Sequence, residues 1–360
     1  MDKYNFLQKT LVAFSDEVRF DTHKVCFDDI KGLAEKHKVD SIIKYVYFDP
    51  SVKQLCEKNQ SNHFRRLSDC IGVFSKCDES GIPYAVIKGA YLEKVAYMNK
   101  GVRASNDLDL LIRKCDYKKV SEILVSEGFA CMSLDWKTKK YVGLTDRARL
   151  LYNHIYSHQS CSFFKYLSEE VYTKVDINFS ITWGEDPHGT LMSEELLSGY
   201  VRKVNYRDII FNAFEPAAFL FQVCLHSYRD MNSILLLKRE KYKLARLCDV
   251  YYYVINKEES IDKSNFIELV KRYSYEKPIY YILYYVSEFF GENLWIDTVL
   301  DSIEPKDKLF INQFGLSEDE KKVWPIDFKE RILSEHLYDR IESLIDEDDL
   351  QKMRSIENNM

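Results

Sequence analysis

Two carboxylates separated by one residue, Asp107 and Asp109, stand at the head of an apolar run that ends at Ile112. Side chains at alternate positions of a β-strand point to the same face, so the two would stand side by side if this run is a strand. Two negative charges that close repel each other unless a cation lies between them. Magnesium binds carboxylate oxygens and substrate phosphates together. The pair therefore indicates metal-dependent chemistry on phosphate groups.

A third carboxylate, Asp176, lies in a later stretch, 171–181, in which apolar and polar residues alternate. This alternation predicts a half-buried strand whose polar face carries Lys174, Asp176 and Asn178. If the two strands are neighbours, three carboxylates converge around two metal ions, one activating the attacking oxygen and the other stabilising the leaving phosphate. In that arrangement Asn178 could orient Asp176. The alternative is that Asp107 and its partner lie on a solvated strand edge.

Groups suited to phosphate binding precede the acidic pair. Lys88 and Gly89 lie where a short apolar run meets a helix-like stretch, and the free N–H groups at a helix start can bind phosphate. Arg103 and Ser105 lie in the following loop, where arginine can contact phosphate through two donors. The alternatives are an ordinary strand-to-helix turn glycine and a loop salt bridge from Arg103 to Asp107.

Hydrophobic periodicity divides the chain into three parts and predicts an α+β fold. Residues 1–80 show helical spacing, with one long amphipathic helix predicted from Ser51 to Lys76. Residues 81–185 alternate short strands and helices around a small mixed sheet, and form the predicted catalytic core. Residues 186–360 return to helix. The simplest interpretation of residues 1–80 is a helical cap packed on the next domain.

Composition narrows the function classes. The 360 residues carry a net charge of −6, which disfavours broad, non-specific nucleic-acid binding because such binding needs a positive field. Hydrophobic residues make up 46% of the chain, enough to bury a core. The sequence has no apolar membrane span and no apolar signal region at its start, and its nine cysteines include no CxxC pair. We therefore expect a cytoplasmic protein, without membrane contact, whose thiols are reduced.

The motifs resemble the nucleotidyltransferase-fold superfamily named after DNA polymerase beta. Its signature is a glycine and a small residue at a helix start, two aspartates on a strand and a third aspartate on a later strand. Here these are Gly89 with Ala90, Asp107 with Asp109, and Asp176. The superfamily often has glycine or serine where this chain has Ala90, so a hydroxyl contact to phosphate there is lost.

More narrowly, the chain resembles the bacterial "uncharacterised nucleotidyltransferase" family. Lys88 and Arg103 match its lysine-glycine and arginine positions, and His226 and Asp249 match two later helical positions. Asn178 stands where that family often has histidine. The roles of His226 and Asp249, and of residues 1–80, do not follow from the resemblance.

The resemblance implies a magnesium-dependent enzyme with two ions, or manganese in their place, that transfers a nucleotidyl group from a nucleoside triphosphate to an acceptor and releases pyrophosphate. Asp107, Asp109 and Asp176 would be catalytic and metal-binding. Lys88, Gly89, Arg103 and Ser105 would bind the nucleotide. The acceptor is a small molecule, a tRNA or a protein. The base and the oligomeric state stay open.

Two alternatives remain beside this hypothesis. The motif spacing is also similar to the toxins of abortive-infection systems, which would modify tRNA or protein. The other alternative is a non-catalytic nucleotide-binding module on the same scaffold, although the intact carboxylates argue against it.

Overall fold

The computed structural model describes residues 2–18, 20, 28–135, 140–144, 158–168, 171–183, 186 and 188–358. Helices and a mixed β-sheet occur in the same chain, so the predicted α+β class is confirmed. In the described residues, no helix is long and apolar enough to cross a bilayer. The cytoplasmic location stays a prediction.

The described helices and strands have the following bounds. The helices are α1 Lys3–Ser15, α2 Asp28–His37, α3 Asp40–Val46, α4 Pro50–Asp69, α5 Ile71–Glu79, α6 Gly89–Ala96, α7 Tyr117–Ser126, α8 Gly189–Gly199, α9 Pro216–Asn232, α10 Ile234–Lys238, α11 Ala245–Lys257, α12 Lys263–Arg272, α13 Glu276–Phe290, α14 Leu294–Ser302, α15 Phe328–Leu333 and α16 Glu347–Asn358. The strands are β1 Tyr84–Ile87, β2 Leu108–Ile112, β3 Ala130–Asp135, β4 Lys140–Gly143, β5 Ser162–Tyr166, β6 Tyr172–Asn178, β7 Val201–Tyr206, β8 Ile209–Phe214, β9 Gln313–Phe314 and β10 Lys322–Val323.

The chain forms two compact units. One comprises residues 55–222 with 259–262, and the other comprises residues 1–54, 223–258 and 263–360. The predicted division at residues 80 and 185 stays a prediction. The predicted helix from Ser51 to Lys76 is interrupted, because Cys70 leaves helical geometry with φ −101° and ψ 3° between α4 and α5.

A six-stranded sheet forms the centre of the 55–222 unit, in the order β1-β2-β6-β5-β3-β4. Strands β2 and β6 run parallel, and the other neighbouring pairs are antiparallel. The apolar side chains of β2, Leu108, Leu110 and Ile112, are at most 1% exposed. Because side chains alternate along a strand, this burial directs Asp109 to the opposite face. The two predicted strands are confirmed but are shorter than expected: β2 begins at Leu108, so Asp107 lies in the loop before it, and β6 ends at Asn178.

One pair of cysteines departs from the expectation of reduced thiols. Cys131 on β3 and Cys161, immediately before β5, form a disulfide. Register brings them together, since β3 and β5 pair with Cys131 opposite Phe163. The other described cysteines are free, and Cys115 is exposed.

The second unit contains a fully buried histidine, His37, at the end of α2. Its Nδ1 accepts the backbone N–H of Leu244 at 3.0 Å, so the proton lies on Nε2, which donates to the carbonyl of Ile332 at 2.7 Å. The neutral ring satisfies both backbone groups, whereas a second proton on Nδ1 would break one bond. Burial lowers the pKa of His37 to about 3.

This histidine predicts a loss of stability in mild acid. In the unfolded chain His37 is protonated below about pH 6.5, whereas in the folded chain it is protonated only below about pH 3. The free energy of unfolding therefore falls as the pH falls between these values. The loss from His37 should be about 2 kcal/mol between pH ~6.5 and ~5. His37→Gln should flatten this slope in urea denaturation, although it lowers stability at neutral pH. The exposed His336, replaced by glutamine, is the control, and an equal flattening there would contradict the assignment.

Candidate active site

The predicted carboxylates lie together on one face of the central sheet. Asp109 of β2 is the register partner of Asp176 on the parallel strand β6, and partners in adjacent strands point to the same face. Asp107 immediately precedes β2. The amide of Asn178 donates to Asp109 Oδ1 at 3.2 Å and to the carbonyl of Asp176 at 3.2 Å. Asn178 therefore fixes the Asp109 carboxylate, rather than the Asp176 carboxylate as the sequence suggested.

Two ammonium groups contact these carboxylates. Lys88 Nζ lies 3.4 Å from Asp109 Oδ1. Lys174 Nζ lies 2.7 Å from Asp176 Oδ2 and 4.0 Å from Asp107 Oδ2, so it bridges two acidic groups. The sequence placed Lys174 on the polar face of its strand but assigned it no role. Its position two residues before Asp176 on the same strand would have predicted that the two side chains lie together.

Two hydroxyls complete the hydrogen bonding of the acidic residues. Ser105 Oγ lies 2.9 Å from the Asp107 carbonyl and 3.2 Å from its carboxylate. Ser162 on β5 donates to Asp176 Oδ1 at 2.5 Å. Ser105 was predicted to face the nucleotide, and the structure places it against Asp107. Ser162 was missed because only the pairing of β5 with β6 brings it near Asp176.

The charge balance of the site favours an added cation. Burial raises the pKa of Asp109 to about 6, Lys88 opposes this rise, and the charges of Asp107 and Asp176 add to it. Burial is the largest cause of the rise, and the two neighbouring carboxylates add a smaller one by opposing a further negative charge. A divalent ion at this face would reverse the effect.

The turn into α6 is strained at Lys88. Its backbone has φ 62° and ψ −149°, close to a region that only glycine occupies readily. Gly89 follows with φ +47°, and a Cβ there would lie 3.3 Å from both the Asp107 carbonyl and Ser105 Oγ. The start of α6 therefore packs closely against the loop before the acidic pair, with the Lys88 ammonium beside Asp109.

The strain at Lys88 can be measured with two substitutions. Lys88→Met removes the charge and keeps the strained backbone, whereas Lys88→Gly removes both. We expect the Lys88→Gly variant to be more stable than the Lys88→Met variant by about 1 kcal/mol in free energy of unfolding. This difference applies after correction for the extra entropy that glycine gives the unfolded chain. Urea denaturation measures the difference. A methionine variant as stable as the glycine variant would show that the backbone at Lys88 is relaxed.

Hydrogen bonds from polar side chains hold the loop that leads to the acidic pair, and none of these side chains was predicted from the sequence. Glu93, fully buried in α6, accepts the backbone N–H groups of Gly101 and Arg103, the latter at 3.0 Å. Asn59 of α4 donates to the Gly101 carbonyl at 2.8 Å, and His63 Nε2 lies 2.9 Å from the Arg103 carbonyl. The backbone around Arg103 is therefore fixed from two helices.

The two later family positions lie in a charged network of their own. His226 Nε2 is 3.5 Å from Asp230 Oδ2. Arg246 joins Asp230 at 2.8 Å and Asp249 at 3.4 Å, and Arg229 contacts Asp230 at 3.0 Å. These ion pairs connect α9 with α11, which agrees with a helix-packing role for His226 and Asp249.

The donor set suits a hard divalent cation. Among the described residues, no cluster of three His, Cys, Asp or Glu side chains is arranged ready to ligate a metal. The three carboxylates nevertheless share one face and supply only oxygen, which is the ligand that Mg²⁺ prefers. The cation that now contacts two of them is the Lys174 ammonium. The residues therefore fit a magnesium site from which Lys174 would withdraw.

The family comparison agrees with this architecture. The sequence profile of the uncharacterised nucleotidyltransferase family matches residues 36–291, which include the central sheet and part of the helical segment on either side of it. The chain belongs to this family. Membership identifies a nucleotidyltransferase, and so a transferase that uses a nucleotide, and confirms the resemblance seen in the sequence. A search of the curated proteins finds no match.

Proposed function

We propose that the protein is a magnesium-dependent enzyme that transfers a nucleotidyl group from a nucleoside triphosphate to an acceptor oxygen and releases pyrophosphate. The observation that carries this proposal is the gathering of Asp107, Asp109 and Asp176 on one face of the sheet. Three carboxylates this close together favour a bound cation, because the charges of Asp107 and Asp176 oppose ionisation of Asp109. Family membership supports the reaction class.

The carboxylates would hold the metal. Asp107, Asp109 and Asp176 would hold the ions, and Asp176 would serve the catalytic one. When bound, magnesium lowers the pKa of an acceptor hydroxyl and neutralises charge on the leaving pyrophosphate. Manganese has the same preference for oxygen ligands and is expected to substitute.

The remaining residues of the site would bind and orient the substrates. Lys88 and the backbone of Gly89 would contact the triphosphate, because no side chain of the N-cap residue caps the N–H groups of the first turn of α6. Arg103 lies in the fixed loop and would contact the same group. Ser105 would keep Asp107 oriented through its two contacts. Such positioning supplies much of the rate enhancement in phosphoryl chemistry.

Proton transfer would pass through Asp176. Its Oδ1 accepts a hydrogen bond from Ser162, which would keep the carboxylate oriented once Lys174 has withdrawn from Oδ2. In the reaction, an oxygen of Asp176 would take the proton of the acceptor hydroxyl as the new P–O bond forms at the α-phosphate. The P–O bond to pyrophosphate breaks in the same step.

The experiment is a transfer assay with each of the four nucleoside triphosphates. Pyrophosphate release should depend on Mg²⁺ and stop with a chelator. Intact mass spectrometry should then detect a nucleotidyl adduct on a supplied small molecule, a tRNA or the chain itself. Absence of triphosphate binding, tested by calorimetry in Mg²⁺, would contradict the proposal.

A further inference from the structure

A row of polar side chains runs along the α4 helix. Asn59, His63, Arg66 and Asp69 follow one another at intervals of three or four residues, the spacing that places side chains on one face of a helix. Their exposed fractions are low, with Asn59 at 8%, His63 at 1% and Arg66 at 5%. A solvated helix face would not be buried, so this row is turned toward the rest of its own compact unit.

The contacts on either side locate Arg66. One turn before it, His63 contacts the carbonyl of Arg103 in the loop before the acidic pair. One turn after it, Asp69 accepts a hydrogen bond from Thr173, which lies near the start of β6 and points to the face opposite Asp176. Arg66 therefore lies beside the loop that leads to the acidic pair, near the end of the sheet where the parallel strands β2 and β6 begin.

The guanidinium of Arg66 is incompletely bonded. Within the described part of the chain, its Nε and Nη1 atoms are buried and have no hydrogen-bond partner. Burial and the neighbouring Arg65 lower the pKa of Arg66, while the charge of Asp107 raises it. Among the described residues no carboxylate forms an ion pair with Arg66, so the charge of Asp107 acts on it from a longer distance.

The adjacent arginine provides a contrast. Arg65 donates from Nη1 to the Tyr172 carbonyl at 3.0 Å and from Nη2 to Asn62 Oδ1 at 3.4 Å. Two neighbouring arginines on one helix thus differ: Arg65 is bonded to protein atoms, and Arg66 is buried with donors unused. Burying the N–H donors of a charged group without hydrogen-bond acceptors lowers stability. Proteins tend to retain such unfavourable features where a ligand binds.

We propose that Arg66 is a phosphate-binding residue of the carboxylate site, and that anionic oxygens of the donor's triphosphate complete the hydrogen bonding of its guanidinium. This inference rests on the proposed function. The planar guanidinium offers paired donors that match a phosphate. A cation from α4 would balance the charge that a triphosphate adds beside the three carboxylates. This role for Arg66 would also connect residues 1–80, which contain α4, with the site.

The test uses the full chain and inorganic tripolyphosphate with Mg²⁺ as the probe. Isothermal calorimetry should show binding to the wild type. Arg66→Met should weaken binding at least about tenfold, since charge-assisted hydrogen bonds are lost, while the matched control Arg65→Met should change it by less than about threefold. Without ligand, Arg66→Met should unfold at the same temperature as the wild type or higher, because methionine relieves the buried, unpaired donors.

The outcomes separate the inference from the function on which it rests. Binding by the wild type and equally by Arg66→Met overturns the inference and leaves the proposed function standing. Failure of the wild type to bind the probe overturns the inference, and absence of nucleoside triphosphate binding as well overturns the proposed function. If Arg66→Met does not fold, Arg66→Lys decides, because lysine keeps the charge and loses the paired donors. Several-fold weaker binding in a folded Arg66→Lys variant supports the proposal, and unchanged binding overturns it.

Discussion

Replacing Asp109 with asparagine is expected to lower the rate of nucleotidyl transfer at least about a thousandfold, because the charge that holds the metal ions is lost at the centre of the site. The substitution preserves shape, and the new amide oxygen can still accept from Asn178. Pyrophosphate release in saturating Mg²⁺ measures the effect. The effect is specific to charge, so no rearrangement of the sheet should accompany it.

Stability should move in the opposite direction. Burial and two neighbouring carboxylates raise the pKa of Asp109, so its charged form is disfavoured in the folded chain at neutral pH. A neutral asparagine removes that penalty, and the variant should unfold no more easily than the wild type in the absence of metal. Asp116→Asn is the control, since that carboxylate pairs with Arg113 beyond the end of β2. Equal activity in the Asp109 and Asp116 variants would reject the site.

The sequence predicted the acidic strands because their signal is local. Burial of alternate apolar residues in β2 and β6 determines which face Asp109 and Asp176 share, and that alternation is visible along each segment. That β2 and β6 are neighbours was a hypothesis based on the three carboxylates, which would need adjacent strands to hold metal ions together. The register that aligns these two aspartates became visible only in the structure.

The supporting residues could not be predicted because they depend on long-range packing. Ser162 meets Asp176 only after β5 pairs with β6. In the sequence, the polar row on α4 has the same appearance as a solvated helix face, and burial distinguishes it. Lys88 adopts a backbone conformation that residues other than glycine rarely adopt, so it could not be predicted from residue type. Such conflicts between local preference and the overall fold tend to mark functional sites.

Lys174 provides the second large effect. Its ammonium contacts Asp176 and approaches Asp107, two of the three groups that would bind the metal. A divalent ion about 4 Å from an ammonium is repelled by about 2 kcal/mol even at the dielectric constant of water. Lysine is flexible and can swing partly away, so some of this repulsion is avoided. Lys174→Met should therefore raise the affinity for Mn²⁺ or Mg²⁺ by about ten- to thirtyfold.

The direction of this change tests what Lys174 does. Manganese binding can be followed by electron paramagnetic resonance in Lys174→Met and in the control Lys165→Met. Lys165 is the register partner of Thr173, whose side chain points to the face opposite Lys174, so its removal should leave metal affinity unchanged. If Lys174 only neutralised the carboxylates of a metal-free fold, methionine would destabilise the chain and added metal would not compensate. Tighter metal binding with recovered stability would instead show that the ammonium occupies a cation site shared with the metal.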